Sequence, residues 1–313
     1  MSTPVCSIII PTYNHAKYIE RSVECALRQT LENVEVIVVD DGSTDETPEI
    51  VTQFADKIIY HRKENGGLGA ARNTGIGISR GKYIQFLDAD DTIDDTKLEK
   101  QVRVFEKDDS VSVVYSDCSC SDADGADLEN ASYPLGDGED PIPVLLHRTL
   151  SGVHASLVKR SAVIEAGMFD ESRVAQEDWD LWLRIALKGQ KYKYLPGNLA
   201  HYDQQGSAMV TNPVLMYRRT LHLLSRFLDN PDLRGLGQNS VNDFIAYQNF
   251  ALATRSYNNG WWRRSRGHFL KALRANPKLV EREYWLCVPK TILHQIADAV
   301  TGKHAVEPDD LAD

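Results

Sequence analysis

Three aspartates in four residues, Asp88, Asp90 and Asp91, directly follow the apolar run Tyr83-Ile84-Gln85-Phe86-Leu87. Carboxylates that close repel one another unless a cation or a set of hydrogen bonds compensates. Mg2+ or Mn2+ is the simplest remedy, because these hard ions take oxygen ligands and use one or two carboxylates together with a substrate's phosphates. The other reading is a solvated acidic turn or helix cap. The company favours the ion: Pro11-Thr12-Tyr13-Asn14, Asp40-Asp41-Gly42-Ser43 and Asn65-Gly66-Gly67-Leu68-Gly69 also follow short apolar runs. A carboxylate such as Asp41 accepts from a nucleobase N–H, Tyr13 offers a ring for stacking, and Gly66, Gly67 and Gly69 let backbone approach a ligand. Further along, Glu177-Asp178 opens a segment whose Trp179, Trp182, Leu183 and Ala186 share one helical face. The pair either serves the helix dipole or supplies a general base that takes a proton from a hydroxyl. His154 and His201 are alternatives for the base, and packed spectators otherwise.

These residues need a scaffold that brings distant loops to one rim. Val5-Cys6-Ser7-Ile8-Ile9-Ile10 and Val34-Glu35-Val36-Ile37-Val38-Val39 read as buried strands, separated by a helix within Ala16–Gln29. Ser43 and Thr44 offer caps for a helix through Phe54, Ile58-Ile59-Tyr60 reads as a third strand, a small-residue helix spans Leu68 to Ser79, and Tyr83–Leu87 is the fourth strand. Strands alternating with helices predict an α/β sheet, in which ligands bind beyond the carboxyl ends of the strands. From about Asp117 to Pro143 periodicity is lost, predicting a long surface loop or a joint between two subregions. Asp122 and Asp124 there do not make a calcium loop, because Gly125 follows at once instead of holding the sixth position. Beyond about Thr211 the pattern is helical, with Trp261, Trp262, Arg263, Arg264 and Arg266 ahead of the apolar series Phe269, Leu270, Ala272, Leu273.

The 313 residues suffice for about two domains, and 42% apolar with 26% charged residues is a globular composition. With 35 Lys+Arg against 45 Asp+Glu the net charge is −10, which argues against nucleic acid as a partner. No apolar run is long enough to span a membrane and no signal-peptide pattern opens the chain, so a cytoplasmic location is expected. The cluster at Trp261–Arg266 carries two readings, peripheral contact with the inner face of a membrane or a packed helix with a solvated basic face. Cys6, Cys25, Cys118, Cys120 and Cys287 are scattered and read as buried thiols.

Taken together, Ser7–Asn14, Val38–Asp45, Asn65–Gly75 and Phe86–Asp91 resemble the family 2 inverting glycosyltransferases. Gly167-Met168-Phe169-Asp170-Glu171 and Glu177–Trp182 continue the order, so the likeness covers roughly residues 5–210. It implies a GT-A fold, a Rossmann-like mixed sheet flanked by helices, over residues 1–215, with a nucleotide-sugar half (1–116), an acceptor-side half (117–215) and a helical region at 216–313. It further implies transfer of a sugar from a nucleotide-sugar donor, usually a UDP-sugar, to a saccharide or lipid-linked acceptor, with Mn2+ or Mg2+ as cofactor. By the same likeness Pro11, Tyr13 and Asp41 contact the base, Asn65 and Arg72 surround base and diphosphate, Asp88 lies near the ribose, and Asp90 is the metal ligand. Asp178 becomes the catalytic base and Glu177 helps to place substrate. One departure stands out: members often carry a His where this chain reads Tyr202-Asp203-Gln204-Gln205-Gly206-Ser207, leaving Gln205 or His201 in its stead. The rival readings are a non-catalytic nucleotide-sugar-binding scaffold and a dinucleotide oxidoreductase. The latter is prompted by Gly67-Leu68-Gly69, but the position of its third glycine holds Arg72.

Overall fold

In the computed structural model the chain divides into two compact units, Met1–Leu223 and Leu224–Asp313. The residues described are 3–121, 127–128, 132–146, 148–173, 175–203, 223, 242, 246, 249–250, 253–254, 257 and 262–276. The expectations for Asp122, Asp124, Gln205, Trp261 and Cys287 fall outside them.

The first unit is built on one mixed sheet. Its first four strands are β1 (Cys6–Thr12), β2 (Val34–Asp40), β3 (Ile59–Arg62) and β4 (Tyr83–Phe86), interleaved with helices α1 (Ile19–Leu27), α2 (Thr47–Thr52) and α3 (Leu68–Ile78). These strands are parallel, in the order β3-β2-β1-β4. Their carboxyl ends therefore deliver four loops to the same rim, the arrangement that the alternating pattern predicts. β1 is buried on both faces: Ile8 and Ile10 join Ile19 and Val23 of α1 in one apolar cluster, whereas Ile9 points the other way, under Gly75 of α3. All three isoleucines are fully buried, and each contributes about 1.5–3 kcal/mol.

The remaining strands are β5 (Thr92–Ile93), β6 (Val111–Ser121), β7 (Asp127–Leu128), β8 (Ser156–Lys159) and β9 (Lys191–Asp203), with α4 (Lys97–Lys107), α5 (Ile142–Leu145), α6 (Arg160–Glu165) and α7 (Glu177–Leu187). β8 runs antiparallel to β4 and carries the sheet on through β6, β9 and β5. The surface loop expected from Asp117 begins later, because Asp117–Ser121 pair in parallel with β9, past two register shifts around Asp117. Their small polar residues hide a strand that its partners β9 and, at Cys120 and Ser121, β7 stabilise.

Two helix starts also move inward. Ser43 does not cap α2, since its Oγ accepts from Asn14 N–H at 2.9 Å, and the Asp45 carboxylate receives the Thr47 N–H instead, at 3.1 Å. The other Asp45 oxygen takes the Ala16 N–H at 3.1 Å, and α1 begins three residues later. In the second unit α8 (Trp262–Ala275) buries Ser265, Phe269 and Ala272, while Leu270 of the expected apolar series is exposed. Trp262 meets Tyr257 edge to face, their ring centres 5.2 Å apart, and Arg263 faces solvent.

Candidate active site

The loops after β1 and β2 are joined by side-chain-to-backbone hydrogen bonds. Beyond the Asn14–Ser43 bond, the Thr44 N–H donates to Asn14 Oδ1 at 2.8 Å and the His15 N–H to Thr47 Oγ1 at 3.0 Å. Asn14 adopts a left-handed backbone, φ 57°, which an Asn tolerates better than most residues. This framework holds Tyr13 at the rim with its ring 45% exposed, whereas Pro11 stays buried within β1 opposite Val39.

Asp41 is buried and saturated. Its carboxylate accepts from Lys63 Nζ at 2.7 Å, from the Gly66 N–H at 3.0 Å and from the Gly67 N–H at 2.7 Å. The adjoining Gly42 has φ +84°, and a side chain there would press within 3.1 Å of the Asn65 backbone nitrogen. The two turns thus lie against one another, with Asn65 exposed beside Asp41.

Arg72 is the centre of the site. Fully buried on α3, it donates from Nη2 to Asp88 and from Nη1 to Glu177, both at 2.6 Å, and its guanidinium lies 5.2 Å from the Phe169 ring centre. One side chain thereby ties the turn after β4 to the first turn of α7. The Gly167–Glu171 turn closes on the same helix: Asn73 Nδ2 donates to the Phe169 carbonyl and its Oδ1 accepts the Phe169 N–H, both at 2.9 Å. Gly69 lies against this turn, where a Cβ would sit 3.4 Å from the Asp170 carbonyl, in ordinary contact. α7 is fixed from its far side by Trp179, whose indole N–H donates to the Leu145 carbonyl at 2.6 Å.

Asp178 is half-buried beside Glu177. Burial first, then the charge on Glu177, push its carboxyl up to about 6, against Arg72 and the Trp179 N–H, which donates to it at 2.7 Å. A carboxylate tuned that far towards neutrality suits a general base. Asp90, 9% exposed, is pushed up to about 7 by burial and by the charges on Asp91 and Asp88. Among the described residues no cationic side chain reaches its carboxylate. No group of three His, Cys, Asp or Glu side chains among them could hold a metal alone. An uncompensated carboxylate beside Asp88 fits a hard dication that completes its shell with phosphate oxygens.

Several supports escaped the sequence reading. Ser22 Oγ donates to the carbonyls of Ala89 and Asp91, at 2.7 and 2.8 Å, and Arg21 Nη2 to the carbonyl of Asp90 at 2.6 Å. The signal for Ser22 is only a polar residue on the apolar face of α1, and exposed Arg21 gives none. His154, an alternative base, is 2% exposed with Nδ1 2.9 Å from Asp91 and Nε2 3.0 Å from Cys118 Sγ, so neither nitrogen is left for a substrate proton. His201 pairs through Nδ1 with Ser119 Oγ at 2.5 Å.

Residues 7–142 match the family described as Glycosyl transferase family 2. An uncharacterized glycosyltransferase of Methanocaldococcus jannaschii is 30% identical over 208 residues, covering 64% of this chain and 71% of the relative. The chain belongs to glycosyltransferase family 2. An uncharacterized glycosyltransferase of Rickettsia prowazekii is 37% identical over 188 residues, 58% of this glycosyltransferase and 59% of the relative. The match covers 31% of the length of a Rickettsia felis counterpart, so this glycosyltransferase spans only part of its first relatives. The S. aureus TarS 1–349 structure in complex with UDP-GlcNAc superposes with a TM-score of 0.67 at 20% identity, over 96% of this chain and 93% of that one, which establishes the shared GT-A fold. The dinucleotide reading falls away: Gly67-Leu68-Gly69 follows β3, at the end of the sheet order, and its helix carries Arg72 into an ion pair.

Proposed function

We propose that this chain is an inverting, metal-dependent transferase that moves a sugar from a nucleoside-diphosphate donor, a UDP-sugar, to a hydroxyl of a saccharide or lipid-linked acceptor. The observation that carries the reading is the Asp88–Arg72–Glu177 bridge, which joins the acidic turn to the helix bearing Asp178 across two contacts of 2.6 Å. Residues 1–116 serve the donor and residues 117–215 the acceptor. Tyr13 supplies a stacking face for the base; Asp41, Asn65 and Pro11 shape the edge beside it. Arg72 and Asp88 line the diphosphate and ribose side. Asp90 would hold Mn2+ or Mg2+, which when bound supplies Lewis-acid neutralisation of charge on the leaving diphosphate. Asp178 takes the proton of the acceptor hydroxyl as that oxygen attacks from the face opposite the leaving group, which inverts the anomeric centre. Glu177 keeps Asp178 raised and, through Arg72, in register with the donor side. The UDP and UDP-GlcNAc complexes of TarS support a uridine nucleotide.

Asp178→Asn should cut turnover about 10²-fold or more while UDP binding, followed by calorimetry, stays within about twofold. A near-normal rate would remove Asp178 from the role. The anomeric configuration of the product, read by NMR, tests the single displacement separately. For the C-terminal cluster, the Trp262–Tyr257 contact supports packing over membrane contact. No helix among the described residues is long and apolar enough to cross a membrane.

A further inference from the structure

The acidic turn holds three carboxylates, and two of them have buried basic partners. Arg72 takes Asp88; His154 takes Asp91, with Nδ1 2.9 Å from Oδ2. Asp91 is wholly buried, and its second oxygen accepts the Asp203 N–H at 3.1 Å. The carbonyl of Asp91 is held by Ser22 and that of Asp90 by Arg21, which also pairs with Asp203 at 2.9 Å. His154 is itself firmly seated. Its carbonyl accepts from Gln85 Nε2 at 2.8 Å and that of Ala155 from Gln101 Nε2 at 2.9 Å, while both glutamine oxygens accept from the buried Lys97. Tyr202 stacks on the ring at 6.0 Å, and Cys118 Sγ meets the far nitrogen. A chain of buried polar contacts thus runs from α4 through the residues before β8 to the turn that presents Asp90.

Such a pair is not needed for stability, since apolar residues of similar volume serve a core at least as well. What it supplies is direction. Without a donor facing it, the Asp91 carboxylate would be driven from the core and would turn the backbone between Asp88 and Asp90. We propose that His154 is a positioning residue for the cation turn: its imidazole, paired through Nδ1 with the Asp91 carboxylate, holds Asp91 in the core and so fixes the backbone from which Asp90 would reach a diphosphate-bound dication. The inference rests on the donor reading above and adds to it a residue some distance along the chain that touches neither substrate nor ion.

The test uses the full chain, with UDP binding measured by calorimetry in Mn2+ and in EDTA. His154→Asn keeps an N–H where Nδ1 stands, whereas His154→Gln moves the amide towards Cys118. We expect His154→Asn to bind UDP within about threefold of wild type under both conditions. His154→Gln should weaken binding at least about tenfold in Mn2+ and leave it unchanged in EDTA, the scale on which outer supports tune metal sites. Asp91→Ala should reproduce the Mn2+-specific loss, and the double variant should lose no more than either single one, since both cut the same link. Should His154→Gln fail to fold, Asp91→Ala alone decides, because a merely structural residue would weaken both conditions alike. Equal behaviour of Asn and Gln at position 154, or equal loss with and without Mn2+, overturns the role. Wild type binding UDP equally well in Mn2+ and EDTA would instead overturn the donor reading, and this inference with it.

Discussion

Two strands of the sheet end in acidic runs, Asp40-Asp41 after β2 and Asp88-Ala89-Asp90-Asp91 after β4, and the protein treats them oppositely. At β2 both carboxylates are met: Asp40 accepts the Ser43 N–H at 2.8 Å and the Tyr60 hydroxyl at 2.7 Å, and Asp41 takes Lys63 and two glycine N–H groups. At β4, Asp88 and Asp91 are paired, but Asp90 is left between them, raised to about 7 by its burial first and then by the charges on Asp91 and Asp88. The first run is architecture, holding the glycine turn against the sheet. The second stores unmet negative charge where charge is useful. An aspartate at a strand end therefore says little by itself, and its donors say which kind it is.

The comparison can be broken by removing donors. Arg72→Met would leave Asp88 as exposed to repulsion as Asp90 and strand Glu177 as well, so we expect a loss of about 3–5 kcal/mol by urea unfolding. A loss under about 1 kcal/mol would mean that water replaces the guanidinium. Asp41→Ala orphans Lys63 and two backbone N–H groups, and should cost about 2–4 kcal/mol in the same measurement. Asp178, like Asp90, is raised by burial and by neighbouring carboxylates, and as a base it would act in its deprotonated form, present above its pKa. The turnover rate should therefore climb about tenfold per pH unit below pH 6 and level off above it, with the midpoint near the raised value of about 6. A flat profile between pH 4 and 7 would speak against Asp178.

The smallest effect carries the opposite sign. The folded-state pKa of Asp90 lies above its unfolded value, so its ionisation destabilises the protein above about pH 7, and that cost disappears as pH falls towards the ordinary value of 3.8. Asp90→Asn should thus raise stability by about 1 kcal/mol at pH 8 and by nothing at pH 4, while abolishing Mn2+-dependent UDP binding. Destabilisation by Asp90→Asn at pH 8 would place Asp90 with Asp41 as a structural residue.

Much of the parallel half of the sheet was legible because its signals are local. Short apolar runs rich in β-branched residues announced β1 and β2, and the parallel sheet brings their carboxyl ends to one rim. The strands after α4 were harder: Asp117–Ser121 is polar and short-sided and becomes strand by pairing with β9 and β7. Arg72 was expected around the base and diphosphate, and what no motif could give is its pairing through Nη1 and Nη2 with two carboxylates, one of them 105 positions along the chain. His154 likewise had the right chemistry for a base, and its surroundings gave it a different partner.

Residue order alone determined the fold family, the acidic and glycine-rich loops and the opening carboxylates of α7, because each depends on short-range periodicity and motif spacing. Which carboxylates are paired, and which one is left exposed to its neighbours' charge, was decided only in three dimensions. Burial and partners drawn from distant segments set a side chain's ionisation and orientation, and neither is written in the residue's type.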